Sequence, residues 1–248
     1  SACKQYNVDL DPNSILGDDG TCRLESMKRH GITRLTIGLQ SLDDHVLKIM
    51  NRPHDAAMAA ESVYRALEYG FDVNIEFIYG HPGETIDNWI EVMEKASEFP
   101  VGEIQLYRLK VQAYGDMQGA INRYARGTGT KDIPDFKTTM LMKQIAIDIL
   151  NAHGFHESLR RVFAKNKKVF SHYAYNQCCN LYDQVGFGMT GFSSYHDRFD
   201  INSMYFEEYY RMIDEGRLPI TRGYVRPFEE QVRQAIVLPL KNRSVIKA

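Results

Sequence analysis

Hydrophobic and polar positions divide the first hundred residues into a repeating succession of strand and helix patterns. Tyr6-Asn7-Val8-Asp9-Leu10 alternates as a short strand and stops at Asp11-Pro12-Asn13-Ser14, a turn signal. A helix follows, roughly Thr21 to His30, with Gly31 placed for a left-handed cap. Arg34 to Leu39 reads as the next strand, Ser41-Leu42-Asp43-Asp44 as a capped helix start, and Ala56 to Tyr69 as a helix closed by Gly70. Val73 to Tyr79, mostly apolar, predicts a strand buried on both faces, and Gly80-His81-Pro82-Gly83 breaks it. From Thr85 the positions Ile86, Trp89, Ile90 and Met93 follow the i, i+3, i+4, i+7 face of a helix that Pro100 ends, and Glu103 to Leu109 gives a fourth strand.

Successive strands begin about 30 to 40 residues apart, the spacing of βαβ crossovers in a parallel sheet. Past Lys110 the pattern changes. A polar, glycine-containing stretch from Tyr114 to Asp132 leads to a long amphipathic helix, about Asp135 to His153, with Leu141, Ile145 and Ile149 as its expected core stripe. After Gly154 come short extended pieces, a turn at Gly186-Phe187-Gly188 and a tyrosine-rich helix near 203 to 215. Residues 1–110 are therefore expected to form one α/β unit and 111–248 an accessory α+β region. Four parallel strands do not close a barrel, so the sheet is open or lacks strands that precede residue 1.

Composition narrows the function classes. The 248 residues are 44% hydrophobic and 11% aromatic, which excludes a disordered tail, and 30 basic against 32 acidic side chains leave no excess to coat a nucleic acid. No apolar stretch long enough for a membrane helix occurs, and the N-terminus carries no signal-peptide pattern. Cys3, Cys22, Cys178 and Cys179 do not form a disulfide framework, which points to a reducing, cytoplasmic setting. The expected partner is a small molecule, with neither nucleic acid nor membrane.

In parallel α/β folds the chemistry lies at the carboxyl ends of the strands. Those ends present Asp9 with Asp11, Gln40 with Ser41, Glu76 with Tyr79 and Gly80, and Tyr107 with Lys110. Two carboxylates, an amide and hydroxyls on one rim suit a ligand with ribose hydroxyls and an amino group, and Arg52 offers a bidentate fork to a ligand carboxylate. The plainer reading makes Asp9 and Glu76 solvated strand ends. The basic run Arg160, Arg161, Lys165, Lys167 and Lys168 reads as a solvated face, and Tyr205, Phe206, Tyr209 and Tyr210, at helical spacing, as core. His153, His156, His172 and His196 show no metal-ligand spacing.

The segments Gly31 to Ser41, Asn51-Arg52, Asn74 to Thr85, Val8 to Pro12 and Gln184 to Met189 resemble, in the same order and with similar spacings, the radical S-adenosylmethionine (SAM) enzymes related to oxygen-independent coproporphyrinogen III dehydrogenase. The resemblance implies a partial (βα)6 TIM-like barrel, of which about four βα units are present, binding SAM on a [4Fe–4S] cluster and cleaving it to a 5′-deoxyadenosyl radical. It implies Asp9, Gln40, Arg52 and Glu76 as contacts to ribose and methionyl groups and Tyr107 beside the adenine. It further implies a second SAM near Gln177, Gly186, Gly188 and Phe192. Decarboxylation, methyl transfer or cyclopropanation of a small or tetrapyrrole-like substrate, with flavodoxin or ferredoxin as electron donor, would follow; a non-catalytic haem-binding or haem-delivery relative is the alternative. Asp9 stands where the family most often has Glu, and Glu76 where it has Asp. The C-x3-C-x2-C cluster motif does not occur in these residues, so the cluster's ligands are expected outside the segment, and the four cysteines present are not expected to replace them.

Overall fold

A computed structural model describes residues 3–109, 133–166 and 171–243. Lys110, the polar stretch from Tyr114 to Asp132, Lys167 and Lys168 lie outside the described residues. The backbone divides into two units, Ser1–Phe170 and Ser171–Ala248.

In the first unit, strands β1 (Asn7–Leu10), β2 (Arg34–Gln40), β3 (Asp72–Tyr79) and β4 (Glu103–Arg108) pair in parallel in chain order. Helices α1 (Pro12–Leu16), α2 (Gly20–Arg29), α3 (Asp44–Ile49), α4 (Ala56–Glu68) and α5 (Ile86–Glu98) make the crossovers. Side chains that accept the orphan amides of the first turn fix where helices start: Asp43 accepts from His45 and Val46, Asp55 from Met58, and Thr85 from Asn88. The turn expected at Asp11-Pro12 is instead the start of α1. Asp11 caps Ser14 N–H at 3.2 Å, and Pro12, with its preset φ and missing N–H, occupies the first turn.

The sheet does not stop at β4. Strand β6 (Val162–Ala164) pairs antiparallel with β4, and β5 (His156–Leu159) pairs antiparallel with β6, giving the order β1-β2-β3-β4-β6-β5. The backbone unit that begins with the parallel strands therefore continues past residue 110, where the break was expected, because the hairpin satisfies the free edge of β4. Helix α6 (Phe136–Ala152) packs on α5, with Trp89 Nε1 donating to the Met142 carbonyl at 2.8 Å. Its buried stripe is Met142, Ala146 and Leu150, offset by one residue from the expected Leu141, Ile145 and Ile149. Leu141 is 52% exposed, whereas Ile145 and Ile149 are partly buried against the core. Three adjacent apolar columns run along this helix, and the contact with Trp89 decides which faces inward.

The two faces of the parallel sheet differ. Leu35, Ile37, Leu39, Val73, Ile75, Phe77, Ile104 and Leu106 form the buried apolar face. The opposite face is polar, so β3, expected to be apolar on both sides, carries Asn74 and Glu76 there. On that face Thr36 Oγ1 donates to Asn7 Oδ1 at 3.2 Å and accepts from Asn74 Nδ2 at 3.3 Å. Arg34 pairs with Glu103 at 2.9 Å, the two side chains 2% and 0% exposed.

At the carboxyl end of β3 the chain turns through Gly80, at φ +86°, and Glu84 Oε2 accepts the N–H groups of Gly80 at 2.6 Å and His81 at 3.1 Å. Glu84 and His81 are both buried. Burial pushes the Glu84 carboxyl up to about 7 despite those two amides, and burial together with the Arg52 charge holds His81 down at about 4.

In the second unit, strands β7 (Phe192–Ser194), β8 (Arg198–Asn202) and β9 (Ile220–Val225) form an antiparallel sheet accompanied by α7 (His172–Cys178), α8 (Phe206–Asp214) and α9 (Phe228–Arg243). Phe192, Phe199 and Tyr224 line up across its strands at 5.7 and 6.0 Å. The tyrosine-rich helix forms as α8, but its aromatic cluster is not core. Tyr205, Phe206 and Tyr210 are each more than half exposed, and Met212 is the buried residue of the helix. Phe206 and Tyr210, one turn apart, stack on each other on a different face from Met212.

Two stability predictions follow from these buried charges. Glu103→Ala should cost about 3–5 kcal/mol in urea unfolding by stranding the Arg34 cation, whereas replacing both residues by apolar ones of similar size should recover much of it. The second concerns pH. The Glu84 contribution is full below its unfolded value of 4.5 and is lost as pH rises towards 7; that of His81 is full above 6.5 and is lost as pH falls towards 4. Between about pH 4.5 and 6.5 the two slopes oppose each other. Glu84→Gln removes one, so unfolding free energy in that variant should rise by roughly 2–3 kcal/mol more than in the parent across this window. Parallel pH profiles would contradict the assignment.

Candidate functional site at the carboxyl rim

The polar face of the sheet rises to a rim at the carboxyl ends of β1 to β4, and a continuous hydrogen-bonded series leads up to it. Beyond the Arg34–Glu103 pair, Gln105 Nε2 donates to Glu103 Oε1 at 2.9 Å, which orients the amide so that its oxygen faces Tyr107. The Tyr107 hydroxyl lies 2.7 Å from Gln105 Oε1 and 3.2 Å from Glu76 Oε1. Every second residue of β4 thus points to the same face, as strand geometry requires.

Three expected site residues meet electrostatically here. Burial, and then the Asp9 carboxylate, raise the Glu76 carboxyl above its usual range, against the hydrogen bond from Tyr107, which lowers it. The Tyr107 phenol is also pushed up, by burial first and then by the Glu76 charge. Asp9 is exposed and accepts from Asn7 Nδ2 at 2.7 Å.

Gln40 arrives by a backbone irregularity. It takes φ +67°, unusual for a residue with a side chain, at a register shift between Gly38 and Gln40. Its amide folds back over Gly38, so closely that any Cβ at position 38 would collide with Gln40 Nε2. Gly38 is the register partner of Glu76, which brings the Gln40 side chain to the same stretch of rim. Strain of this kind gathers at working sites, since the surrounding structure must hold it in place. Arg52 is positioned by its neighbours: His54 Nε2 bonds the Leu39 carbonyl at 3.1 Å, tying this loop to the end of β2, and the Arg52 charge is felt by His81 at the end of β3.

Gln177, Gly186, Gly188 and Phe192 belong to the second unit and cluster there by themselves. Gln177 Nε2 donates to Gln184 Oε1, and Gln184 Nε2 donates to the Phe192 carbonyl at 3.0 Å. A Cβ at Gly186 would stand 2.5 Å from Phe192 N, so the loop closes only on glycine there, and Asn202 Nδ2 donates to the Gly188 carbonyl at 2.8 Å.

Sequence reading missed two members of the rim, Gln105 and Arg161. Gln105 was legible in the alternation Glu103, Gln105, Tyr107. Arg161 was not: the guanidinium lies 4.7 Å over the Tyr107 ring because the β5–β6 hairpin folds beside β4. The basic run is accordingly not a purely solvated face, and Lys165 sits over the buried Phe155 ring at 4.5 Å.

Asp9 and Glu76 leave carboxylate oxygens at the rim that hydroxyl or ammonium donors of a ligand would satisfy, so these residues fit SAM. A cubane cluster is another matter. Cys3 and Cys22 are exposed, Cys178 is half-buried and Cys179 buried, none is disulfide-bonded, and no group of three His, Cys, Asp or Glu side chains suited to a metal occurs among the described residues. The described residues therefore do not hold a cluster.

The chain is similar to several known proteins. Residues 3–96 match the radical SAM superfamily. The chain is 27% identical to mouse radical S-adenosyl methionine domain-containing protein 1, mitochondrial, over 77% of this chain and 41% of the relative. It is 26% identical to the oxygen-independent coproporphyrinogen III oxidase of Pseudomonas aeruginosa, over 95% and 51%, and 22% identical to heme chaperone HemW of Bacillus subtilis, over 97% and 61%. The coproporphyrinogen III oxidase (HemN) of Escherichia coli, a radical SAM enzyme, superposes with a TM-score of 0.79 at 20% identity, over 96% of this chain and 55% of that one, which establishes the fold. The chain thus spans about half the length of the relatives it matches. The superfamily's cofactors are SAM and a [4Fe–4S] cluster. Residues 3–96 thus carry the radical SAM match, and the chain as a whole is similar to oxygen-independent coproporphyrinogen III oxidases.

Proposed function

We infer that the rim formed by Asp9, Gln40, Arg52, Glu76 and Tyr107 is a SAM site, and that the protein acts in radical chemistry on a small or tetrapyrrole-like organic substrate. The observation that carries this reading is the presence of two carboxylates, Asp9 and Glu76, on one polar rim, with the Tyr107 hydroxyl 3.2 Å from Glu76 and Glu76 driven upward by burial and by Asp9. Asn7 and Tyr107 each bring one donor to this pair, and ribose hydroxyls with an ammonium group would supply donors to the remaining carboxylate oxygens. In this reading Glu76 and Asp9 accept from the ligand, Gln40 offers its amide from the strained end of β2, Arg52 takes the ligand carboxylate through its fork, and Tyr107 covers the adenine while orienting Glu76. Gln177 and the Gly186, Gly188 and Phe192 loop are assigned to a second SAM.

In this family reductive cleavage of SAM supplies a 5′-deoxyadenosyl radical at the cluster. That cleavage requires a thiolate set the described residues do not contain, so no step of it is assigned to them. Their part is to bind, orient and keep water from the ligand.

Titration calorimetry with SAM tests the reading. A saturable site that Glu76→Ala weakens by about 1–3 kcal/mol is expected. Equal affinity in the variant, or no saturable binding, overturns it. Tight haem binding without measurable SAM binding would favour the haem-delivery alternative instead.

A further inference from the structure

The hydroxyl of Tyr107 has one proton and two acceptors within reach, Gln105 Oε1 at 2.7 Å and Glu76 Oε1 at 3.2 Å. Gln105 has its orientation set by donation to Glu103, which is itself held by buried Arg34. The direction of the Tyr107 proton therefore depends on the charge state of Glu76. If Glu76 is ionised, the phenol donates to it. If Glu76 is protonated, it donates to the phenol oxygen, the phenol proton goes to Gln105, and Glu76 has lost one acceptor oxygen for a ligand.

The groups facing Glu76 do not agree on the outcome. Asp9 on β1 and Glu103 on β4 favour protonation, as does burial; the Tyr107 hydroxyl on β4 and Arg161 on the β5–β6 turn favour the carboxylate. The other cation on this face, Arg34, is committed to Glu103. Arg161 is held in place twice: its guanidinium lies over the Tyr107 ring at 4.7 Å, and its carbonyl accepts from Leu106 N–H at 2.9 Å, which anchors the turn to β4. It makes no ion pair among the described residues.

We propose that Arg161 is a positioning residue of the rim site: with its guanidinium over the Tyr107 ring and its carbonyl bonded to Leu106 N–H, it holds the phenol between Gln105 and Glu76. Its consequence for ligand binding rests on the reading of the rim as a SAM site; its effect on Glu76 does not.

Carbon-13 NMR titration of the Glu76 side-chain carboxyl, assigned by its loss in Glu76→Gln, tests the proposal in the whole protein. Arg161→Met keeps the aliphatic packing and removes the charge, and the Glu76 midpoint should move upward, while Arg161→Lys should restore most of the parent value. Tyr107→Phe should also move it upward. Were Arg161 only a brace for the hairpin, Arg161→Met would lower the melting temperature and leave the Glu76 midpoint in place; that result overturns the proposal. If Arg161→Met does not fold, an unmoved midpoint in folded Tyr107→Phe overturns it equally. In the ligand arm, SAM affinity should fall about three- to tenfold in Arg161→Met near neutral pH. Failure of the parent protein to bind SAM would remove the reading of the rim, and the Glu76 midpoints would still decide the role of Arg161.

Discussion

Charge placed on the inner face of a parallel sheet must be compensated locally, and this requirement governs the first unit. Its foundation is the ion pair between Arg34 at the start of β2 and Glu103 at the start of β4, almost fully out of water on both sides. In such surroundings an unpaired charge costs several kcal/mol, so each member is obligatory once the other is present. From that pair upward the polar face is hydrogen-bonded through Gln105 and Tyr107 on one strand and through Thr36, Asn74 and Asn7 across three, with the buried Asn74 Oδ1 left without a partner among the described residues. At the rim two carboxylates share the same face, and the Asp9 charge adds to burial in raising Glu76. The apolar face, packed against helices, supplies most of the stabilisation, which allows the opposite face to be spent on polarity.

Much of this architecture was legible because it is written in local signals. Asp43, Asp55 and Thr85 each start a helix by accepting amides two or three residues on, and the period-two alternation of β1 to β4 places alternate side chains on opposite faces whatever the tertiary context. The rim positions Asp9, Gln40, Glu76 and Tyr107 follow from the ends of those strands. The errors have a common origin. Leu141 fits a core stripe in sequence as well as Met142 does, because apolar columns adjoin on α6 and only the contact with Trp89 selects among them. The aromatic side chains at 205, 206 and 210 carry the pattern of a buried face, yet α8 has one buried residue. Arg161 is distant in sequence from every rim residue and reaches Tyr107 through antiparallel pairing of β6 with β4, a non-local event that no window of sequence contains.

The two rim carboxylates differ in reach. Glu76 is long enough to reach the Tyr107 hydroxyl, whereas Asp9 stays at the edge of the sheet and bonds Asn7 on its own strand. The longer acid is the one drawn into the network; the shorter remains with solvent. The second unit repeats the theme in another form, since the loop from Gly186 to Phe192 closes through an amide chain from Gln177 to Gln184 to the Phe192 carbonyl and by the absence of a side chain at Gly186.

The fold of Gln40 over Gly38 binds two positions into one inheritable unit. A larger residue at 38 evicts the amide, and a residue at 40 without that amide leaves an empty ledge above the glycine. Among natural relatives, positions 38 and 40 are therefore expected to vary together rather than singly, and a lineage that gives up the amide gains a free choice at the glycine.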